Sequence, residues 1–246
     1  MYYPMKDGID KSVQAVEYSE AQPPSSLSGL VHCFWELKTV AELSVDFEYH
    51  ALPDACVNIL LNQIETDIAG ITALRTEAEV LNLGKSFHYV GIQFYPGVWQ
   101  GNKEEIVDCY VGTPYSGNLP LIQTSKKIAK VDFDTKLQAL TDLVEWFVEE
   151  GLVTTNVVTE KILTQLDELH SVADMAKLVK LSPRQLQRTI KQMTGFSPHD
   201  LLKVLRVQQS FKKHYLDMFS DQSHYIHSFR RVTGYTPSKY AAKFDV

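Results

Sequence analysis

Hydrophobic and polar positions follow two different rhythms along the 246-residue chain. Up to about residue 100, short runs rich in Val, Ile and aromatic residues recur: VQAVEY (13–18), LVHCFWELKTV (30–40), VDFEYHALP (45–53), CVNILLN (56–62) and FHYVGIQFY (87–95). Several alternate in polarity, as half-buried strands do, and breakers such as QPPSS, PDA and YPGV separate them. This pattern predicts an antiparallel β-rich barrel or sandwich. Residues 101–130 carry no clear period beyond the loop GTPYSGNLP. From residue 135 the period becomes helical. In TKLQALTDLVEWFVEEGL, Leu137, Leu140, Leu143, Val144, Phe147 and Val148 fall at steps of three and four. Gly151 follows as a stop, and the TTN at 154–156 caps a further helix. A domain boundary is expected at 151–157.

Beyond it the chain repeats itself. SPRQLQRTIKQMTGFSP (182–198) is answered by DQSHYIHSFRRVTGYTP (221–237) at a constant offset of 39 residues. A repeat on that scale marks one supersecondary unit used twice. In the first copy Ser171 opens a short helix, VADMAKLV, with Asp174 three residues on. After a brief turn at Lys180-Leu181, Ser182 is an N-cap with Pro183 at the first helical position. Leu186, Ile190 and Met193 form the buried stripe of the helix so started, and Gly195 ends it. Two helices joined by a tight turn make a helix-turn-helix.

The second helix of that unit carries the candidate chemistry. With its apolar stripe inward, Arg184, Gln185, Gln187, Arg188 and Lys191 face out, and no carboxylate occurs from Ser182 to Gln192. Arg pairs with guanine and Gln with adenine in the major groove. In the second copy Asp221 replaces Ser182 as the cap. Tyr225, Phe229 and Val232 replace the apolar stripe, and Gln222, Ser223, His224, His227, Ser228, Arg230 and Arg231 supply polar groups. Tandem units suit two nearby stretches of one groove. Charge agrees with this division. The net charge of −6 splits into +6 from residue 160 onward and −12 before it, so the two parts suit different partners, a polyanion for the basic one.

The stretch ADMAKLVKLSPRQLQRTIKQMTGFSPHDLLKVLRV, followed by SDQSHYIHSFRRVTGYTPSKYA, resembles the AraC/XylS family of bacterial transcription regulators over roughly residues 160–243. The resemblance implies an all-helical domain of two helix-turn-helix units joined by a linker helix, binding double-stranded DNA. It implies DNA contacts by Arg184, Gln187 and Arg188 in the first unit, and by Gln222, Ser223, Ile226 and His227 in the second. It also implies an N-terminal sensor for a small-molecule effector or a partner subunit, with RNA polymerase as a further partner. LVHCFWEL, ALPDACVNILLN and VGIQFYPGVW are similar to β-rich N-terminal domains of such regulators, although Ala55 stands where P-D-G would be usual. One departure concerns the second unit. The chain is about ten residues short between the linker helix and D-Q-S-H, and the offset sets Tyr215 against Ala176 and Asp217 against Leu178. The second unit is therefore expected to be degenerate or repositioned.

Other constellations point elsewhere only weakly. Trp35, Tyr49, Phe94 and Trp99 are candidates to line a small-molecule pocket, although core packing explains the same residues. The stripe on 137–148 suits either a homodimer seam or the face that packs on the sheet. His32, His50 and His88 lack ligand-like spacing, and His224 and His227 lack a third ligand, so no metal or other cofactor is expected. Cys33, Cys56 and Cys109 make no C-x-x-C pair. The N-terminus lacks the form of a signal peptide, and no apolar run is membrane-spanning. The sequence thus predicts an α+β cytoplasmic protein that is not an enzyme. Its β-rich regulatory domain covers 1–152 and ends in a helix, and its helix-turn-helix domain covers 156–246. The alternative is a ligand-sensing or interaction module whose damaged second unit no longer reads sequence.

Overall fold

A computed structural model describes residues 8–72, 74–101, 106–107, 113–214, 216 and 218–245. Tyr215, Asp217 and Cys109, singled out above, lie outside the described residues. The N-terminal part is β-rich and the C-terminal part helical, as the two rhythms predict. Strands β1 (Ile9–Asp10), β2 (Val16–Ala21), β3 (Val31–Thr39), β4 (Glu48–Ala51), β5 (Val57–Asn62), β6 (Ala69–Thr72), β7 (Glu79–Asn82), β8 (His88–Phe94) and β9 (Ile106–Val107) come first. Six form one sheet in the order β2-β3-β8-β5-β6-β9, antiparallel except for the parallel β6–β9 pair. β4 and β7 pair as a separate ribbon. Each apolar run of the sequence overlaps a strand, although β2 begins three residues into the first run and extends three beyond it. The short β6, β7 and β9 have too few residues to show a period of two.

The sheet buries both faces. On one, Leu37, Leu60 and Tyr89 pack beneath the ribbon with Phe47, Tyr49, Leu81 and Leu83. On the other, Phe34, Ile59, Val90, Ile92 and Phe94 meet two helices, α1 (Leu121–Ile128) and α2 (Phe133–Glu149). Asp132 caps α2 by accepting from the Thr135 N–H at 3.0 Å, and Gly151 just beyond its end has φ 68°. Leu140, Leu143, Val144 and Phe147 are fully buried on the sheet, whereas Val148 is exposed. The helix stripe is therefore spent inside the chain rather than kept as a dimer seam.

A buried ion-paired cluster sits in this layer. Glu36 points from β3 toward α2 and is buried, as is Lys136, which donates to its Oε1. His88 Nε2 lies 2.9 Å from the same oxygen, and Lys38 donates to Oε2 at 2.9 Å. Burial pushes the Glu36 carboxyl up. Hydrogen bonds from Lys136, His88 and Lys38 outweigh it and hold the group at about 2. Its stabilising effect is thus present above the ordinary carboxylate range and lost only as pH falls toward 2.

The helical part follows as α3 (Val157–Thr164), α4 (Val172–Leu178), α5 (Pro183–Thr194), α6 (Pro198–Gln209), α7 (Gln222–Thr233) and α8 (Pro237–Lys243). A last short strand, β10 (Phe244–Asp245), returns to pair with β1. No helix of the described residues is long and apolar enough to cross a membrane.

Replacing Lys136 by Met leaves Glu36 buried with fewer donors, and urea denaturation is expected to show a loss of about 3 kcal/mol. The double variant Glu36→Leu/Lys136→Met removes both charges, so it should recover most of that loss.

Candidate nucleic-acid interface

The repeated sequence encodes a repeated helix ending. Thr194 closes α5 with its hydroxyl donating to Ile190 O at 2.8 Å while accepting from the Phe196 N–H at 3.2 Å. Thr233 closes α7 with the same pair of bonds, to Phe229 O at 2.9 Å and from the Tyr235 N–H at 3.2 Å. Gly195 and Gly234 follow at φ 75° and 79°, each returning its N–H to the helix four residues back. Ser197 and Thr236 are the next N-caps, with proline at the first turn of α6 and α8. The T-G-aromatic-Ser/Thr-Pro motif is thus one helix exit and the next helix entry.

In the first unit α4 and α5 pack through Met175, Ala176, Leu186 and Ile190, which share a core with α3 and α6. Met193 is only half-buried. Lys180 forms the turn between α4 and α5 at φ 56°, a conformation that glycine adopts more readily. Ser182 and Gln185 form a reciprocal capping box: Ser182 Oγ accepts from the Gln185 N–H, and Gln185 Oε1 accepts from the Ser182 N–H at 2.9 Å.

This geometry divides the five outward residues expected from sequence. Gln185 is engaged at its own helix's start. Lys191 donates to Gly195 O at 2.6 Å, satisfying a carbonyl at the helix's end. Arg184, Gln187 and Arg188 are exposed and make no hydrogen bond or ion pair among the described residues. A polar residue at the third helical position suits either a cap or a groove, and only the structure separates the two.

The second unit is packed differently. α7 starts at Asp221, which accepts from the His224 N–H at 2.8 Å. No α-helix occurs among the described residues of 210–221, so α7 has no counterpart of α4. Phe211, Met218 and Phe219 cover Tyr225, Phe229 and Val232 from this irregular segment. Val207 of α6, Tyr240 of α8 and Phe244 of β10 belong to the same core, and the β-rich part adds to it. Leu52 joins the same cluster, and the Ala78 N–H donates to Val232 O at 2.7 Å. His50 stacks on Phe244 at 4.8 Å, meets Tyr235 edge-on at 5.4 Å, and is hydrogen-bonded to the Thr233 backbone. β1 pairs with β10 beside it, Asp10 opposite Phe244. On α7, Gln222, Ser223, His227 and Arg231 are exposed, while Ile226 is half-buried.

The four aromatic residues considered for a ligand pocket are not brought together. Phe94 and Trp99 are buried against Phe147 in the core between sheet and helices. Trp35 and Tyr49 pack on the opposite face of the sheet, where the indole lies across Gly91 and donates to Asn58 at 3.3 Å. Side-chain parity within strands decided this. A small pocket of about 70 Å³ at the junction is lined instead by residues such as Tyr95, Val98, Thr159 and Leu163. His32, His50 and His88 are widely separated, with His32 Nδ1 2.7 Å from Gln93 Oε1. No group of three or more potential metal ligands occurs among the described residues.

A family model described as a domain of unknown function, DUF6597, matches residues 19–101. No curated protein matches the chain. Among solved structures, a ToxT from Vibrio cholerae is 10% identical, covering 95% of this chain and 100% of its own, with a TM-score of 0.40. ToxT from Vibrio cholerae O395 is likewise 10% identical, over 93% and 97%, with a TM-score of 0.40. An unsaturated fatty acid-bound wild-type ToxT from Vibrio cholerae strain SCE256 is 9% identical, over 99% and 98%, with a TM-score of 0.35.

Burial lowers the pKa of His50 below its ordinary 6.5, with Lys243 adding to that effect and the Thr233 hydrogen bond opposing it. Its contribution to docking is therefore fully present above 6.5 and lost as pH falls through the lowered value. Hydrogen exchange is expected to show protection factors of 222–243 falling more than those of 133–149 between pH 7 and about 5.5. His50→Phe should flatten that difference; an unchanged pH response in the variant would assign it to other groups.

Proposed function

We propose that this protein is a sequence-specific DNA-binding transcription regulator, not an enzyme, in which α5 enters the major groove and the β-rich domain governs the placement of α7. The observation that carries the reading is the outer face of α5. Arg184, Gln187 and Arg188 point to solvent without partners among the described residues, on a helix anchored from behind by fully buried Leu186 and Ile190. Long donor-bearing side chains on a rigid exposed helix suit base edges, and their register is fixed by caps at both ends. The net charge of +6 from residue 160 onward supplies the sequence-independent attraction to phosphates. The resemblance to AraC/XylS regulators over the same residues agrees with this assignment.

Control by the β-rich domain rests on the shared core around His50, Leu52 and Ala78. A ligand or partner that alters this domain alters the surface on which α7 rests. A second reading is favoured by the absence of an α-helix among the described residues of 210–221: an interaction or ligand-sensing module whose helical part binds DNA without reading it.

Selection of bound sequences from a random duplex pool separates the two, because only the first returns a motif. On the selected site Arg188→Ala should cost about 1–3 kcal/mol and relax the preference at one base pair. Gln185→Ala should lower helix stability without erasing any position of the motif. Equal loss on every sequence for Arg188→Ala would favour the second reading.

A further inference from the structure

Between the two units lies a cleft of about 450 Å³. One wall is α6, with Lys203 and Arg206; the other is α7, with His224, His227 and Arg231. None of its lining residues is acidic. The nearby carboxylates stand outside it and neutralise only part of the charge. Asp200 lies 3.3 Å from the Lys203 amine and 3.8 Å from His199 Nδ1, and Asp174 bonds to Ser171 and the His170 N–H at the start of α4. Arg231 makes no ion pair among the described residues. Arg206 is half-buried, and its Nη2 donates to Leu169 O at 3.0 Å. Its Nε is buried without a hydrogen-bond partner among the described residues.

An unpaired buried donor, here the Nε of a half-buried guanidinium, costs free energy that a bound anion returns. The imidazoles do not form a metal cluster with any third ligand among the described residues. Guanidinium groups and imidazole donors lining one concave surface match the tetrahedral, multiply accepting oxygens of a phosphate.

We propose that this cleft is a phosphate site, occupied by a backbone phosphodiester of duplex DNA where it passes between α5 and α7. The choice of duplex DNA as the source rests on the regulator reading above. In this arrangement His227 and Arg231 hold the backbone rather than read bases, and the second unit contributes affinity even where it selects no sequence. A free phosphate-bearing molecule offers the same chemistry, so the two sources are distinguished by experiment.

The full chain is compared with Arg231→Gln, at an exposed position, and with Arg206→Lys, which keeps the charge but not the planar fork. Duplex affinity is measured between about 50 and 200 mM salt, and the ring signals of His224 and His227 are followed by NMR as inorganic phosphate is added. The proposal expects Arg231→Gln to weaken selected and random duplexes by the same factor and to reduce the logarithmic salt slope by about 1. Phosphate shifting the imidazole signals in the parent and not in Arg231→Gln, with an unchanged salt slope, retains the phosphate site and overturns the duplex source. The same NMR result in a chain that binds no duplex at all overturns the regulator reading while the site stands. An unchanged salt slope together with unmoved imidazole signals overturns the site, as does a loss confined to one base position.

Discussion

The second helical unit shares its hydrophobic core with the β-rich part through Leu52 and Ala78, and the placement of α7 answers to that shared packing. An amphipathic helix needs a partner over its apolar stripe. α5 has α4 for this purpose, whereas α7 has Val207 of α6, Tyr240 of α8, the segment holding Met218 and Phe219, and Leu52 of the β-rich part. Phe229 and Val232 are buried among Leu52, Met218, Phe219, Tyr240 and Phe244, with Ala78 and Tyr235 at the edge. The position of α7 is therefore set by two parts of the chain far apart in sequence. A change in β4 or the segment around Ala78 reaches α7 through direct contacts at Thr233 and Val232, with no longer path required.

The joint between the parts shows how tightly this is drawn. Ala55 sits at φ 60°, a left-handed conformation that costs an ordinary residue about 1–2 kcal/mol. Glycine would remove the strain, but it would also remove the methyl group that packs into the first unit's core beside Ile162 and Leu163. The two effects are of similar size, which explains why alanine is tolerated in this turn. Next to it, Asp54 accepts from the Cys56 N–H and from Gln93, yet burial drives its carboxyl up to about 6. Stability from that group falls as pH rises from about 4 to 6, while stability from His50 falls as pH drops below 6.5. The two titrations act at different contacts and in opposite directions. On the other side of the same turn, Gln208 donates to Pro53 O at 3.0 Å and is itself buried.

What the sequence disclosed follows the range of the interactions involved. Caps, helix stops and the 39-residue repeat are local chemistry, and Ser171, Ser182, Asn156, Asp221, Gly195 and Gly234 occupy the positions that local rules assign them. The apolar runs located the longer strands for the same reason. Long-range facts were illegible. Whether Trp35 shares a pocket with Phe94 depends on strand parity and on which face each layer covers. That His50 belongs to the core of the second unit depends on a contact across 183 residues, to Thr233. Gln185 and Lys191 were ambiguous because the chemistry that caps a helix is also the chemistry that contacts DNA. The shortage of residues before α7 was readable in the offset, and it was the one sequence feature that pointed toward a borrowed core.

Under the proposed reading, a unit held in this way keeps binding DNA without precise base readout. Base readout demands that a helix be held within a fraction of an ångström, and α7 is held by a surface that also answers to another domain. Phosphate contacts are more tolerant, since charge attraction falls off slowly and the backbone presents a similar group at every step. The polar residues of α7 suit that division. Those lining the cleft are His224, His227, Ser228 and Arg231, donors with no carboxylate among them, whereas Gln222 and Ser223 lie outside it at the helix start. In the reading proposed here, α5 supplies selectivity from a rigid, self-contained unit. α7 supplies affinity in proportion to how the β-rich domain holds it, so control over affinity leaves the sequence preference of α5 intact.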